Sequence, residues 1–283
     1  MSISPQITAL VHTRNEENQL AGCLESLQWA DELLVADMAS TDQTRSIAVR
    51  FGARVLEMPV LPIVEKVRNL ALAQCTHDWV FILDADERAT PALANGLRNA
   101  IKNSEAAAAF TVPRKNYFLG TWLEHGCWPD PQTRLVRKGL ASWSGLIHEH
   151  PEIKGPIHHL PPDPEAAIEH TGYVLDLGKF LEKQLRYSRL DAERLKQNVA
   201  PPIWPWLLRR PVSEFLGRYF ASGAWRHGMH GLVWSLCMGL YEAQVAINYW
   251  DLQRSSAQLT TPSSLRRKVR FEALRTAIKF LRP

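Results

Sequence analysis

Over the first hundred residues, short apolar runs alternate with segments of helical spacing. Ile7-Thr8-Ala9-Leu10-Val11, Leu33-Leu34-Val35-Ala36, a run near Arg54 to Met58 and Trp79-Val80-Phe81-Ile82-Leu83 read as strands, the last most clearly. Between them, Asn15 to Gln28 places Leu20, Leu24 and Leu27 at helical spacing. Ser40-Thr41-Asp42 opens a helix running to about Phe51, and another helix is predicted near Val64 to Cys75. Thr90-Pro91 starts one more, with proline where no amide donor is needed. Strands alternating with helices at roughly 25-residue spacing predict βαβ units and an α/β, mostly parallel sheet flanked by helices. Ligands of such sheets bind at the carboxyl ends of the strands. The polar residues Thr13 to Glu16, Asp37 and Asp84 to Asp86 fall at those ends.

Beyond about Lys102 the pattern changes. Ala106 to Pro113, Thr133 to Arg137 and Ile168 to Val174 read as short strands among loops rich in Trp, Pro and His. Leu175 to Gln197 reads as a polar helix, and Pro201, Pro202, Pro205 and Pro211 mark a linker-like break. A helical region follows from about Val212 to Leu252. This predicts a catalytic domain over 1–198, with a nucleotide-binding half at 1–102 and an acceptor-side half at 103–198. A helical, basic extension then covers 199–283.

Charge sharpens the picture of that extension. Ser263 to Pro283 holds seven basic residues against one acid, Glu272, leaving 26 basic and 28 acidic residues elsewhere. A basic tail on a near-neutral body points to an anionic membrane surface, reached peripherally, and away from nucleic acid. The stretch Met229 to Trp250 is apolar but holds Glu242, Gln244 and Asn248, so it lacks the uncharged run that a spanning helix needs. The four cysteines are far apart and form no CxxC pair, which predicts reduced thiols. With no signal-peptide pattern in the first residues, the expected location is cytoplasmic.

Asp84-Ala85-Asp86 directly follows the strand 79–83. Two carboxylates so placed suit Mg²⁺ or Mn²⁺, hard ions that keep waters and accept phosphate oxygens. A diphosphate leaving group needs such charge cancellation as its bond breaks. A solvated acidic loop is the plainer reading of an isolated DxD, and its place after a strand favours function. Thr13, Asn15 and Glu16 offer donors and acceptors for a base or ribose, and Asp37 offers an acceptor for ribose hydroxyls. The same residues also suit a helix start.

The strings TRNEE (13–17), DMASTDQT (37–44), KVRNLAL (66–72) and DWVFILDADE (78–87) resemble family-two inverting glycosyltransferases of the GT-A fold. They stand in that family's order over roughly residues 5–100. One departure is Ala39, where the family carries glycine. GCWPDPQTRLVRKG (126–139) followed by His148-Glu149-His150 is similar to the lipopolysaccharide-core glucosyltransferase branch. The resemblance implies a UDP-type nucleotide-sugar donor, a divalent cation, inversion at the anomeric carbon and a glycan or glycolipid acceptor. It also implies that Glu16, Asp37 and Asp84 bind the nucleotide and Asp86 the metal. Lys66, Arg68 and Asn69 would line the donor site.

An inverting transfer needs a base for the acceptor hydroxyl. The family's usual Glu-Asp motif is missing from its place, leaving Glu149 and Asp130 as candidates. Glu149 is favoured because the branch carries a His-Glu pair there, and His148 is a candidate for metal or diphosphate. His148, His150, His158, His159 and His170 match no zinc spacing and read as loop histidines in ordinary hydrogen bonds. A nucleotidyltransferase would instead show a glycine-rich phosphate loop after the first strand. A non-catalytic sugar-nucleotide or lipid-binding protein on the same fold is the other alternative.

Overall fold

The computed structural model describes residues 5–61, 65–104, 106–144, 150–173, 176–198 and 203–256. The chain divides into two compact units, Met1–Val174 and Leu175–Pro283.

The first unit runs β1 (Ile7–Thr13), α1 (Leu20–Ser26), β2 (Glu32–Asp37), α2 (Thr44–Arg50), β3 (Arg54–Glu57), α3 (Glu65–Ala73) and β4 (Trp79–Asp84). It continues with β5 (Glu87–Ala89), α4 (Pro91–Asn103), β6 (Ala109–Val112), β7 (Arg114–Phe118), β8 (Thr121–Trp122), the short α5 (Glu124–Cys127) and β9 (Gln132–Arg137). Then come β10 (Ala141–Ser142), β11 (Glu152–Ile153), β12 (Ile157–His159) and β13 (Ile168–Tyr173). Seven strands form one sheet in the order β12-β6-β9-β4-β1-β2-β3, and β5-β13-β7-β8 form a second. β3, β2, β1 and β4 are mutually parallel, and β9 enters antiparallel between β4 and β6. This is the predicted mostly parallel GT-A arrangement.

Every residue of β1 is buried, because both sheet faces are covered. Leu20, Leu24, Ile47, Leu93 and Leu97 pack on one face, and Val67, Ala71, Leu72 and Trp143 on the other. The chain builds outward from β1 through β2 to β3, then returns to set β4 on β1's other side. That reversal opens a crevice at the carboxyl ends of β1 and β4. The register there pairs His12 with Asp84, and Thr13 with Asp37.

Several boundaries differ from the sequence-based expectation. The helix expected from Asn15 begins only at Leu20, since Asn15 takes a φ of 54° and residues after it form a turn. The helix expected from Ser40 begins at Thr44, whose amide donates to Asp42 Oδ1 at 3.0 Å. Ala39 takes a φ of 52°, the left-handed backbone that explains glycine as the family's residue at this position. At Thr90 the expectation holds: its hydroxyl accepts from the Leu93 amide at the start of α4.

The second unit contains α6 (Leu177–Asn198), α7 (Ile203–Leu216) and α8 (Gly228–Ser256). The expected domain boundary at 198/199 moves to 174/175 because α6 packs with α8. Gln184 Nε2 donates to the Cys237 carbonyl at 3.3 Å, and Asn248 Nδ2 to Ser188 Oγ at 2.9 Å. Pro205 and Pro211 do not break the chain as predicted. Pro205 lies in the first turn of α7, where no amide donor is required, and Pro211 lies inside the helix.

Candidate active site

The site is built from the ends of β1, β2 and β4 and from the strands that follow. Two loops, 13–17 after β1 and 37–44 after β2, are stitched together. The Asn15 amide donates to Ser40 Oγ at 2.9 Å, and the Thr41 amide to Asn15 Oδ1 at 2.8 Å. The Glu16 amide donates to Thr44 Oγ1 at 2.9 Å, and the Gln43 amide to Glu17 Oε2 at 3.0 Å. Asp37, buried at the end of β2, takes the Ser40 amide on both oxygens, and the Ser40 hydroxyl donates to Oδ1. Arg45 Nε stands 3.6 Å from Asp37 Oδ2. Much of the hydrogen-bonding capacity of Asn15 and Asp37 therefore shapes the loops that carry Glu16. Thr13 is buried, and among the described residues its hydroxyl has no hydrogen-bond partner.

The two DxD carboxylates have separate surroundings. Asp84 Oδ1 accepts from Arg68 Nη2 at 3.2 Å, and Oδ2 from Arg134 Nη2 at 3.0 Å. Burial alone would raise the Asp84 pKa, but Arg134 and Arg68 outweigh it and hold the carboxyl well below its ordinary value. Arg134 also donates to Glu87 Oε1 at 2.7 Å, and Arg114 Nη1 donates to that oxygen at 2.9 Å. Glu87 Oε2 takes the Asp84 amide at 3.0 Å, so this fully buried carboxylate is hydrogen-bonded on both oxygens. Arg114 reaches on to Asp130 Oδ2 at 2.7 Å. A chain of alternating charge thus runs Arg68, Asp84, Arg134, Glu87, Arg114, Asp130.

Asp86 faces His170, with Oδ2 3.4 Å from Nε2. The route to His170 also passes through Asp130. Asn116 Nδ2 donates to Asp130 Oδ2 at 2.9 Å, which turns Asn116 Oδ1 toward His170 Nδ1 at 2.8 Å. An amide oxygen only accepts, so the network assigns the proton to Nδ1. In neutral imidazole Nε2 then presents its lone pair to the Asp86 carboxylate. The carboxylate and the ring nitrogen thus lie side by side, a pair of donor atoms that one cation can share. Orientation of a metal-binding histidine through its other nitrogen is a recurrent feature of metal sites. Mg²⁺ and Mn²⁺ commonly use few protein ligands plus water and phosphate oxygens, so this donor set fits them. Among the described residues, no group of three His, Cys, Asp or Glu forms a complete metal cluster. Gly172 makes the geometry possible, because a Cβ there would lie 1.9 Å from Asp86 Oδ2.

His12 lies beside Asp84 in register and is buried, with neither ring nitrogen hydrogen-bonded among the described residues. Burial, then the nearby Arg68 and Arg134 charges, push its pKa down to about 3 against the opposing pull of Asp84. At neutral pH it therefore adds no charge beside the two arginines.

Several residues singled out in the sequence take more specific places than expected. Asn69 pairs with the Trp143 backbone, donating to its carbonyl at 2.7 Å and accepting its amide at 2.9 Å. Arg68 lies over the Trp143 ring at 5.7 Å, and Arg137 over the Trp79 ring at 5.1 Å. Asp130 is enclosed by Arg114, Asn116 and Gln132. Burial opposes ionisation of Asp130, yet Arg114 and these hydrogen bonds depress its pKa, which weakens it as a base. His170, read as an ordinary loop histidine, lies on β13 against Asp86 because β13 pairs in register with both β5 and β7. His148 and Glu149 lie outside the described residues, as does the side chain of Lys66. Glu87, Arg114, Asn116 and Gly172 were not identified from sequence. Glu87 stood inside a quoted string, and Arg114 and Asn116 share a strand face by alternation, which was the available signal.

The family model "Glycosyl transferase family 2" matches residues 8–149. The "Lipopolysaccharide core biosynthesis glycosyltransferase LpsC" of Rhizobium meliloti (strain 1021) is 27% identical over 276 residues, spanning 92% of this chain and 97% of its own. An uncharacterized glycosyltransferase of Rickettsia conorii (strain ATCC VR-613 / Malish 7) is 37% identical over 245 residues, spanning 78% of this chain and 83% of its own. The strand-end chemistry and the matched family model lead to one assignment: the chain belongs to glycosyl transferase family 2.

Proposed function

We propose that this glycosyltransferase moves a hexose from a UDP-sugar to a glycan or glycolipid acceptor, with inversion, in the assembly of lipopolysaccharide or a related surface polysaccharide. The observation that carries this reading is the Asp86–His170 pair at the end of β4, beside the interlocked loops after β1 and β2. The lipopolysaccharide-core assignment of LpsC supports the acceptor class. Thr13, Asn15, Glu16 and Asp37 stand around the nucleoside position. Arg68, on the helix that also carries Lys66 and Asn69, brings positive charge toward the diphosphate, while Asp84 fixes its guanidinium. Asp86 and His170 would hold Mg²⁺ or Mn²⁺, with His148 as a further candidate ligand. When bound, such an ion supplies Lewis-acid neutralisation of the diphosphate.

The acceptor hydroxyl attacks the anomeric carbon from the face opposite the diphosphate. The new carbon–oxygen bond forms as the bond to UDP breaks, and the hydroxyl proton passes to a carboxylate. Glu149 takes that proton in this reading, since the hydrogen bonds of Asp130 make it the weaker base. A glycolipid acceptor places the reaction at a membrane surface. No helix among the described residues is long and apolar enough to cross a membrane.

The test measures UDP release from UDP-glucose with Mn²⁺. Stripping the metal, or making Asp86→Asn or His170→Ala, lowers the rate by about 100-fold or more. Glu149→Gln keeps donor binding, read by thermal shift, and loses transfer. Full activity in metal-free protein, or in Asp86→Asn, overturns the reading.

A further inference from the structure

α8 departs from the usual pattern of a surface helix, in which the exposed face is polar. Between Met229 and Trp250 every exposed position is a large apolar residue: Met229 (68% exposed), Leu236 (52%), Leu240 (47%), Ile247 (55%) and Trp250 (40%). At 100° per residue these five fall within an arc of about 80°, forming a stripe about 32 Å long. Between Met229 and Trp250 the helix's polar side chains are buried or half-buried instead. Ser235 Oγ donates to the Gly231 carbonyl at 2.7 Å, Asn248 bonds Ser188, and Tyr241 bonds Asp191. The opposite side of α8 is already packed, with Trp234, Cys237, Val245 and Tyr249 buried. The outer stripe is therefore not the core side of the helix.

Charge decides what covers it. An arginine stands over a tryptophan toward each end: Arg226 lies 5.4 Å from the Trp225 ring, and Arg254 lies 5.1 Å from the Trp250 ring. Asp251 pairs with Arg254 at 2.9 Å, the one acid near that end of the stripe, and the segment 263–283 then adds seven basic residues and one acid. A second copy fits this pattern poorly. Antiparallel pairing centred on Leu240 sets Arg226 of one copy against Arg254 of the other, and parallel pairing sets each arginine against itself. An anionic lipid surface accepts the apolar stripe between acyl chains, the tryptophans at the headgroup level and the arginines at the phosphates.

We propose that the outer face of α8 docks on anionic membrane lipid, lying in the interface without spanning it. The glycolipid reading above makes such docking useful, but the surface is argued independently of it, from α8, the Trp225–Arg226 pair before it and the basic composition of 263–283. The test uses the full chain in cosedimentation with equimolar phosphatidylglycerol/phosphatidylcholine vesicles and with phosphatidylcholine vesicles. Wild type partitions onto the anionic vesicles, and Leu236→Glu/Ile247→Glu lowers that partition by at least about tenfold. Circular dichroism checks that the double variant keeps its helical content. UDP release with soluble donor stays at the wild-type level, which separates failure of docking from failure of the sugar-transfer reading. Unchanged partition of the double variant overturns the proposal, as does partition that depends only on the basic residues of 266–270. A dimer in light scattering that Leu240→Glu dissociates would assign the stripe to a second copy and overturn it equally.

Discussion

Replacing Gly172 by alanine puts a methyl carbon 1.9 Å from Asp86 Oδ2, 2.7 Å from Asp86 Cγ and 3.1 Å from His170 Nε2. No Cβ is tolerated at the first two distances, so the carboxylate must swing away or β13 must shift. β13 has little freedom here, since the Thr171 amide and hydroxyl both donate to the Asp86 carbonyl, at 2.9 and 3.0 Å. The register of β13 against β7 also slips between His170 and Tyr173, which leaves the backbone irregular around the glycine. Relief therefore falls on the Asp86 side chain, which must move more than about 1 Å to restore ordinary contact. Displacement of a reacting group by about 1 Å can lower rate by about 10²-fold, and disturbing a metal ligand's setting lowers affinity by about 10–100-fold. Because Gly172 is exposed, overpacking costs no more than about 1–3 kcal/mol. Gly172→Ala should thus fold, need at least about tenfold more Mn²⁺ for half-maximal UDP release, and lose about 100-fold in kcat/KM. Wild-type Mn²⁺ dependence in a folded Gly172→Ala protein would refute the placement of Asp86 at the metal.

Two further outcomes follow from the charge chain. Glu87→Gln leaves the buried Arg134 and the half-buried Arg114 against a neutral carbonyl, and urea unfolding should register a loss of about 3 kcal/mol, as for other broken buried pairs; an unchanged midpoint would show that the pairs contribute nothing net. His12, with its pKa lowered to about 3, stays neutral in the folded protein while the unfolded chain takes up a proton below about 6.5, so stability present at neutral pH is lost as pH falls through that window. The loss reaches about 2 kcal/mol at pH 5, and the slope between pH 6.5 and 4 should be shallower by one proton in His12→Asn.

What could be read from sequence was whatever a single strand end displays. β1 and β4 are apolar because both sheet faces are covered, and a polar residue at the point where such a run stops has few places to be except the crevice. The positions of Asp37, Asp84 and Asp86 at or just beyond the strand ends were legible for that reason. The roles of the two DxD aspartates were not separable, because that depends on who arrives from elsewhere: Arg68 from α3, Arg134 from β9 and His170 from β13. His170 gave no local sign, since its position follows from pairing with β5 and β7, a long-range register. Gly172 likewise reads as one more glycine until Asp86 is placed beside it. The proline-rich stretch misled for a simpler physical reason, as a proline in the first turn of a helix removes an amide that had no partner to lose.

The separation of the two aspartates also explains why a strongly charged site can exist in a well-packed sheet. Along the hydrogen-bonded chain, three guanidiniums (Arg68, Arg134 and Arg114) alternate with three carboxylates (Asp84, Glu87 and Asp130). Each of these charges, of which Arg68, Arg134 and Glu87 are buried, thus has an opposite neighbour, the condition under which burial is tolerated. A protonated His12 would add a fourth positive charge, and its depressed pKa keeps it neutral. Asp84 is thereby committed to holding two arginines in place, and Asp86, turned to His170 at the far end of the same network, is the carboxylate that the proposed function assigns to the cation. A variant that exchanged those tasks, such as Arg134→Met, would release Asp84 toward the cation while leaving Glu87 poorly compensated, so a gain in metal affinity there would come with a loss of fold stability.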